Sequence, residues 1–190
     1  MKKLFLLVIL LGVICQMQTV QGQTKVENFT LTNLLDDTSV SLDTYKEANC
    51  VAIFFTSSRC PYTKSYKTRI IDLAKKYEAS GVQFILINTE SIDEPSDLMY
   101  ESAREYNLPY LFDKGLAVSN QFQASKTPEV FILENHLGDF VVKYFGAIDD
   151  NPQMAEEVSQ HYADEAIKAV IEKQNLPYTE QKPSGCIIRR

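Results

Sequence analysis

Cys60 is the side chain whose type and surroundings best suit it for chemistry. It lies in the segment TSSRCPY, residues 56–62, between an apolar run and a helical pattern. Ser57 or Ser58 can cap that helix and leave the thiol in its first turn, where unpaired N–H groups and the helix dipole favour an anion. Such positions lower a cysteine pKa from about 8.5 to roughly 3.5–7.5, and Arg59 and Lys64 add positive charge. The pattern predicts a nucleophilic thiolate; the alternative is a small apolar residue that fills space beneath the helix.

Two further cysteines, Cys50 and Cys186, are candidates to pair with Cys60. Cys50 begins the strand that ends just before Cys60, and such a strand spans roughly 20 Å, whereas a disulfide needs Cα atoms within about 7 Å. A Cys50–Cys60 bridge is therefore excluded, and Cys50 is predicted to be a buried, inert thiol. Cys186 follows the last predicted helix by about ten residues, and this tail can span on the order of 30 Å. We hypothesise that Cys186 attacks an oxidised or mixed-disulfide Cys60 to form a Cys60–Cys186 disulfide; a structural staple or an unused cysteine is the alternative.

Thr127 and Pro128 stand directly before a predicted strand, in a loop expected to face the start of the Cys60 helix. A cis bond between them places backbone groups of Thr127 beside the sulfur, where they can pair with an extended substrate. The alternative is an ordinary proline at the first position of a strand, because cis X–Pro bonds are uncommon.

A strand–helix–strand unit positions these residues. Residues 51–55 and 82–87 are continuous apolar runs, as in strands buried on both faces. The intervening helical pattern ends at residues 80 and 81, and its spaced residues are Tyr66, Ile70, Leu73 and Tyr77. A crossover helix sets the two strands parallel.

The remaining pattern completes a mixed sheet. Hairpins are predicted around residues 36–39 and 135–138, and shorter helices at 95–106 and 116–122. A long closing helix is predicted with Asn151 as its N-cap and Pro152 at its first position, and its buried face comprises Val158, Tyr162, Ile167 and Val170. The fold class is therefore α/β, a thioredoxin-like fold with a central mixed β-sheet and helices on both faces. Residues 24–176 form this domain, and residues 177–190 form a flexible tail that carries Cys186 and is expected to be poorly ordered.

Residues 1–22 are predicted to be an export signal. Lys2 and Lys3 precede an apolar run, residues 4–15, which is shorter than the about 20 residues of a spanning helix. This pattern predicts a periplasmic or secreted protein with a bacterial-type signal and no stable membrane span. A lipid anchor at Cys15 is the less favoured alternative, because Ile14 rather than a small residue precedes it. Loss of the signal leaves an odd number of cysteines, which in an oxidising compartment allows a free, reactive or intermolecularly bridged thiol.

Composition excludes several other functions. The chain of 190 residues has a formal net charge of −6 and contains no basic patch interleaved with aromatic residues, so nucleic acid is not expected as a partner. His136 and His161 have no cysteine nearby, which gives no metal-ligand spacing. We predict no cofactor.

Several segments resemble the peroxiredoxin-like branch of the thioredoxin superfamily, which is grouped with the alkyl hydroperoxide reductase and thiol-specific antioxidant proteins. These are FFTSSRCPYTKSYKTR at residues 54–69, Asn88, TPEVFIL from Thr127, IDDNP at residues 148–152 and SGC around Cys186. The resemblance runs from Phe29 to Cys186. It implies a thioredoxin fold, a cis proline at Pro128 and a redox role for Cys60.

The chain departs from its relatives at two points. Many relatives carry a C-x-x-C pair that ends at the cysteine matching Cys60, but Ser57 stands at the first position here, so Cys60 must borrow a second thiol. The active segment of true peroxiredoxins looks like P-x-x-x-[TS]-x-x-C. Ser57 fits the hydroxyl position of this pattern, from which its side chain can hydrogen-bond a thiolate or a peroxide oxygen. Ile53 replaces the proline of that pattern, and the sequence assigns no particular arginine to the partner role.

These observations predict a thiol-disulfide oxidoreductase or thiol peroxidase. Cys60 and Cys186 are the expected catalytic residues, and the residues expected to bind substrate are Ser57, Arg59, Thr127 and Pro128. The substrate is a protein thiol or disulfide, or a hydroperoxide, and an external thiol supplies reducing equivalents. The alternatives are a redox-inactive module that binds extended peptides or a partner protein, and a structural protein that Cys60 tethers to its partner.

Overall fold

The computed structural model describes residues 25–190; the predicted export signal, residues 1–22, lies outside them. Its strands and α-helices are β1 (Thr30–Asn33), β2 (Ser39–Ser41), β3 (Cys50–Thr56), α1 (Pro61–Tyr77), β4 (Val82–Asn88), α2 (Asp97–Tyr106), β5 (Tyr110–Phe112), α3 (Ala117–Gln121), β6 (Lys126–Thr127), β7 (Glu129–His136), β8 (Asp139–Gly146), α4 (Tyr162–Ile171), β9 (Glu180–Gln181) and β10 (Cys186–Ile187). Within this range no helix is both long enough and apolar enough to cross a membrane.

Eight strands form one mixed sheet in the order β2-β1-β5-β4-β3-β7-β8-β9, and β6 pairs with β10 in a separate ladder. Strands β3, β4 and β5 run parallel, whereas β7 runs antiparallel to both β3 and β8. The predicted strand–helix–strand unit is β3-α1-β4, and the predicted second hairpin is β7-β8. The mixed sheet of a thioredoxin-like fold is thus confirmed.

Burial of the central strand β3 on both faces explains why its sequence shows no alternation of apolar and polar residues. All 7 of its residues are buried, because helices and loops cover both faces of the sheet. Ala52 and Phe54 belong to the apolar cluster that includes residues of α1, α2 and α4. Ile53 and Phe55 belong to the opposite cluster, which includes residues of α3 and the tail residue Ile188.

The closing helix begins later than its sequence pattern predicts. Helix α4 starts at Tyr162, so the prediction of Asn151 as its N-cap and Pro152 as its first residue is wrong. The Asn151 side chain instead accepts hydrogen bonds from the N–H groups two and three residues ahead, at 3.1 and 2.9 Å. Asp150 likewise accepts a bond from the Ser159 N–H at 3.0 Å. These local side-chain bonds offer the backbone an alternative to the helix.

The C-terminal tail also differs from its expectation, because it contributes two short strands. Strand β9 adds in parallel to β8 at the edge of the main sheet, and β10 pairs antiparallel with β6. The tail backbone passes so close to Gly146 that a Cβ there would collide with the Gln181 carbonyl; the φ of Gly146 is +123°. Two-residue strands carry no periodic signal, so sequence patterns did not predict them.

Candidate active site

Three segments meet at the edge of the sheet where β3 and β4 end. The parallel register pairs Thr56 with Asn88, so the residues after both strands lie side by side. The antiparallel register pairs Phe55 with Glu129, which brings the start of β7 to the same edge. Residues 57–60, 89–90 and 126–128 therefore converge.

Cys60 occupies the N-cap position of α1. Its backbone is extended, with φ −81° and ψ 122°, and Pro61 is the first helical residue. The Cys60 carbonyl accepts a bond from the Lys64 N–H at 3.2 Å. No side chain caps this helix, so the prediction that Ser57 or Ser58 caps it is wrong. The sulfur nevertheless belongs to the helix end that carries unpaired N–H groups and the positive end of the dipole.

The loop before Cys60 is anchored on Glu90, which was not among the site residues predicted from the sequence. Ser57 and Ser58 donate their hydroxyl hydrogens to Oε1 of Glu90, and the Arg59 N–H reaches the same oxygen at 3.3 Å. The Arg59 guanidinium lies 3.3 Å from Oε2, and the Glu90 side chain is only 9% exposed. Burial raises the pKa of Glu90, but the bonds from Ser58 and Ser57 and the charge of Arg59 outweigh it, so the pKa lies below its usual value.

The loop opposite Cys60 contains a cis peptide bond between Thr127 and Pro128, as the family resemblance implies. The Thr127 carbonyl oxygen lies 3.1 Å from Sγ of Cys60. A disulfide sulfur carries no proton, so this approach is a close contact rather than a hydrogen bond.

Glu129, which was likewise not among the predicted site residues, fixes that loop. Its buried carboxylate accepts bonds from the N–H groups of Ser125 at 2.7 Å and Lys126 at 3.0 Å, and from the Ser125 hydroxyl at 3.0 Å.

Cys60 and Cys186 form a disulfide, as hypothesised from the sequence. Their Cα atoms are 6.0 Å apart, although 126 positions separate them along the chain. In this form Cys60 is 2% exposed. The tail that carries Cys186 lies against it.

Strand β10 holds the tail against the Thr127–Pro128 loop. Cys186 is registered with Thr127, and the Ile188 N–H donates to the Ser125 carbonyl at 3.1 Å. Gly185 lies against the Thr127–Pro128 peptide so closely that a Cβ would clash with the Thr127 carbonyl.

The remaining described cysteine, Cys50, lies at the opposite end of β3 and is 0% exposed. Burial raises the pKa of its thiol to about 12. A buried, protonated thiol is a poor nucleophile, in agreement with the prediction of an inert cysteine.

A surface cavity of about 430 Å³ opens beside the disulfide, and its lining includes Ser57, Arg59, Glu90, Thr127 and Cys186. The structure thus brings together most of the residues that the sequence assigns to the site. The hydroxyl of Ser57 and the guanidinium of Arg59 both meet Glu90.

The sequence profile of the AhpC/TSA family matches residues 23–151. The chain belongs to the AhpC/TSA family. Among curated proteins, no significant match was found.

Solved structures similar to this AhpC/TSA chain share its fold. An uncharacterized conserved protein from Geobacillus kaustophilus is 29% identical, covers 88% of this chain and 91% of its own, and has a TM-score of 0.78. A secreted disulfide oxidoreductase from Mycobacterium tuberculosis is 17% identical, with coverages of 74% and 95% and a TM-score of 0.57. The peroxidoxin BcpB of the same organism is 20% identical, with coverages of 80% and 96% and a TM-score of 0.58.

The role of Glu90 as an anchor of the loop was not predicted, because it depends on the register between β3 and β4. Its position two residues after a buried strand is the only sequence signal, since residues that follow parallel neighbouring strands share one sheet edge. Its partners Ser57 and Ser58 were already recognised, but as caps of α1.

Proposed function

We propose that the protein is an exported thiol-disulfide oxidoreductase in which Cys60 is the nucleophile and Cys186 the resolving thiol. The observation that carries this proposal is the Cys60–Cys186 disulfide beside the Thr127–Pro128 loop. Membership of the AhpC/TSA family supports a redox role for a thiol at this place in the fold.

The reaction consists of two thiol-disulfide exchanges. The Cys60 thiolate attacks one sulfur of a substrate disulfide, and the other substrate cysteine leaves as a thiolate and takes up a proton. The Cys186 thiolate then attacks Sγ of Cys60, which releases the second substrate cysteine and forms the Cys60–Cys186 disulfide. Two electrons pass from the protein dithiol to the substrate disulfide, and an external thiol restores the dithiol.

The surroundings of the sulfur favour a polypeptide disulfide over a hydroperoxide as substrate. Thr127 can offer backbone groups to an extended substrate, and its pairing with β10 supports this. Ser57 and Arg59 are engaged by Glu90 and hold the loop that carries Cys60, so we assign them a positioning role. In the alternative peroxide reaction, Cys60 becomes a sulfenic acid and Cys186 condenses with it to release water.

Export of the protein is part of the proposal. It rests on the signal-like pattern of residues 1–22. It agrees with a disulfide between residues distant in sequence, because such bonds persist mainly in oxidising compartments.

Insulin reduction with dithiothreitol as the electron source tests the proposal. We expect the wild-type protein to accelerate reduction and Cys60→Ser to give only the rate of dithiothreitol alone. Reduced Cys186→Ser, freed of dithiothreitol before it is mixed with insulin, should accumulate a Cys60–insulin disulfide, visible on non-reducing gels. Cys50→Ala is the matched control and should retain the wild-type rate, because Cys50 is buried at the far end of β3.

Parallel assays distinguish the alternative functions. Equal insulin-reduction rates for the wild type and Cys60→Ser would favour the redox-inactive binding module. Consumption of hydrogen peroxide that depends on Cys60, without insulin reduction, would favour the peroxidase.

A further inference from the structure

We infer that a substrate polypeptide docks on β6 in place of β10, as an extended segment with glycine directly before its reacting cysteine and a large aliphatic residue two positions after it. The inference rests on the proposed function and deepens it. The docked tail, residues 185–188, serves in this inference as an internal copy of the substrate.

Backbone pairing at β6 determines where the substrate cysteine lies. Among the described residues, β10 is the one strand that pairs with β6. Its antiparallel register places the tail cysteine opposite Thr127, beside Cys60. When the tail leaves, the β6 edge is open to another extended chain, and main-chain hydrogen bonds can supply affinity. A substrate cysteine that reacts with Cys60 along this edge takes the position of Cys186.

The backbone that faces Gly185 restricts the residue directly before the substrate cysteine. Gly185 packs against the Thr127 carbonyl and the nitrogen of Pro128, and a Cβ would overlap the backbone on that side. The obstacle is the main chain of Thr127 and Pro128, which cannot move aside as a flexible side chain would. The Glu129 carboxylate restrains the residues directly before it, through the N–H groups of Ser125 and Lys126. A substrate that follows the tail's path therefore carries glycine at this position.

The two residues after the cysteine differ in how deeply they are buried. Ile187 lines the cavity beside the disulfide, but its side chain is 74% exposed, so little of it is buried against the protein. Ile188 is 5% exposed and belongs to the apolar cluster that contains Phe122 and Ala124. The position two after the cysteine thus selects a large aliphatic side chain, whereas the position directly after it tolerates a polar one.

The tail and the substrate exclude each other, because both need β6. Substrate binding displaces residues 185–188, and Cys60 becomes accessible in the same movement. After Cys60 has attacked the substrate disulfide, the tail returns as the substrate segment departs, and Cys186 breaks the mixed disulfide. As in the proposed reaction, two electrons pass from the dithiol of Cys60 and Cys186 to the substrate disulfide.

Peptides built on residues 183–190 test this specificity. In each peptide the cysteine is linked by a disulfide to 2-nitro-5-thiobenzoate, a good leaving group of low pKa. Attack by Cys60 on the peptide sulfur forms a Cys60–peptide disulfide and releases the coloured nitrothiobenzoate anion, whose absorbance gives the rate. The reduced full-length Cys186→Ser protein is used, so that Cys186 does not compete for the peptide, and the Cys60→Ser, Cys186→Ser double variant is the blank for every other thiol.

We expect the unchanged peptide to react fastest. Peptides with Gly185→Ala or Ile188→Glu should react at least about tenfold more slowly. The added Cβ of alanine clashes with the Thr127–Pro128 loop, and the charged glutamate cannot replace isoleucine in the apolar cluster. The peptide with Ile187→Glu controls for the added charge and should stay within about twofold, since that side chain is exposed. Equal rates for all four peptides, with an inactive blank, would overturn the docking inference and leave the proposed function standing.

A binding measurement separates docking from chemistry. A fluorescent peptide with serine for cysteine is titrated with the full-length Gly185→Ala protein, whose own tail is displaced by the clash, and anisotropy is recorded. Weaker binding of the Ile188→Glu peptide than of the Ile187→Glu peptide supports the docking even if no peptide releases nitrothiobenzoate, a result that would contradict only the redox function. Indistinguishable binding of these two peptides contradicts the docking.

Discussion

At the scale of single residues, Glu90 controls the loop that leads to Cys60. A buried carboxylate is costly unless it is paired, and here two hydroxyls, an N–H group and a guanidinium offset that cost. Hydrogen bonds to an ionised acceptor are stronger than those between neutral groups. The charge on Glu90 therefore fixes the loop before the N-cap of α1.

We expect Glu90→Gln to destabilise the protein by about 1–3 kcal/mol at pH 7, because the variant loses charge-assisted bonds to a buried group. The pKa of Glu90 is lowered in the folded state. Its stabilisation is thus fully present above the pKa of the unfolded glutamate, about 4.3, and is lost as the pH falls through the lower folded value. Urea unfolding at pH 7 and at pH 3 measures the difference, which should shrink at the lower pH.

Glu94→Gln is the control for this change. Its carboxylate pairs with Lys114 at 3.5 Å but is 83% exposed, so its loss should change the free energy of unfolding by less than about 0.5 kcal/mol. Equal stability of Glu90→Gln and Glu94→Gln at pH 7 would show that Glu90 does not anchor the loop.

At the scale of elements, β10 depends on the absence of a side chain at Gly185. We expect Gly185→Ala to displace the tail and slow formation of the Cys60–Cys186 disulfide by at least about tenfold, because an added Cβ meets the Thr127 carbonyl. Thiol trapping and mass spectrometry after dilution of the reductant give that rate. Ser184→Ala, at an exposed neighbouring position, should keep the wild-type rate. A Gly185→Ala protein that oxidises as fast as the wild type would rule out a tight fit of β10.

Burial of Ile188 is the second contribution to β10 docking. We expect Ile188→Ala to make the Cys60–Cys186 disulfide at least about tenfold easier to reduce, which raises the midpoint potential by about 30 mV. Equilibration with glutathione buffers measures the potential. Ile187→Ala, at a side chain that is 74% exposed, is the matched control and should leave the potential unchanged. Equal potentials for both variants would mean that burial of Ile188 does not hold the tail.

The sequence predicts those elements whose signal is local. The apolar runs of β3 and β4 mark buried strands, and the missing first cysteine of a C-x-x-C pair directs attention to Cys186 as the second thiol. Strand β10 is not predicted because it exists only where β6, distant in sequence, lies opposite it. The start of α4 is misplaced for a local reason, because side-chain bonds of Asp150 and Asn151 hold another turn where the pattern favours a helix.

At the scale of the whole molecule, the Cys60–Cys186 disulfide ties the last strand to the N-terminus of α1 and encloses most of the sheet. Its two cysteines are 126 positions apart, so the bond removes much of the conformational freedom of the unfolded chain. According to the chain-entropy model, closing a ring of this length adds about 5 kcal/mol to the free energy of unfolding. In the proposed reaction, opening this disulfide therefore also changes the stability of the domain.

We expect reduction to lower the free energy of unfolding by about 3–5 kcal/mol, because the open chain regains the freedom that the ring removes. Urea unfolding at pH 7 with and without dithiothreitol measures the difference. Cys186→Ser, which cannot close the ring, should resemble the reduced wild type and should not respond to dithiothreitol. Identical unfolding curves for the oxidised and reduced wild type would mean that ring closure does not stabilise the fold, and would make β9, β10 and the sheet independent of the redox state of Cys60.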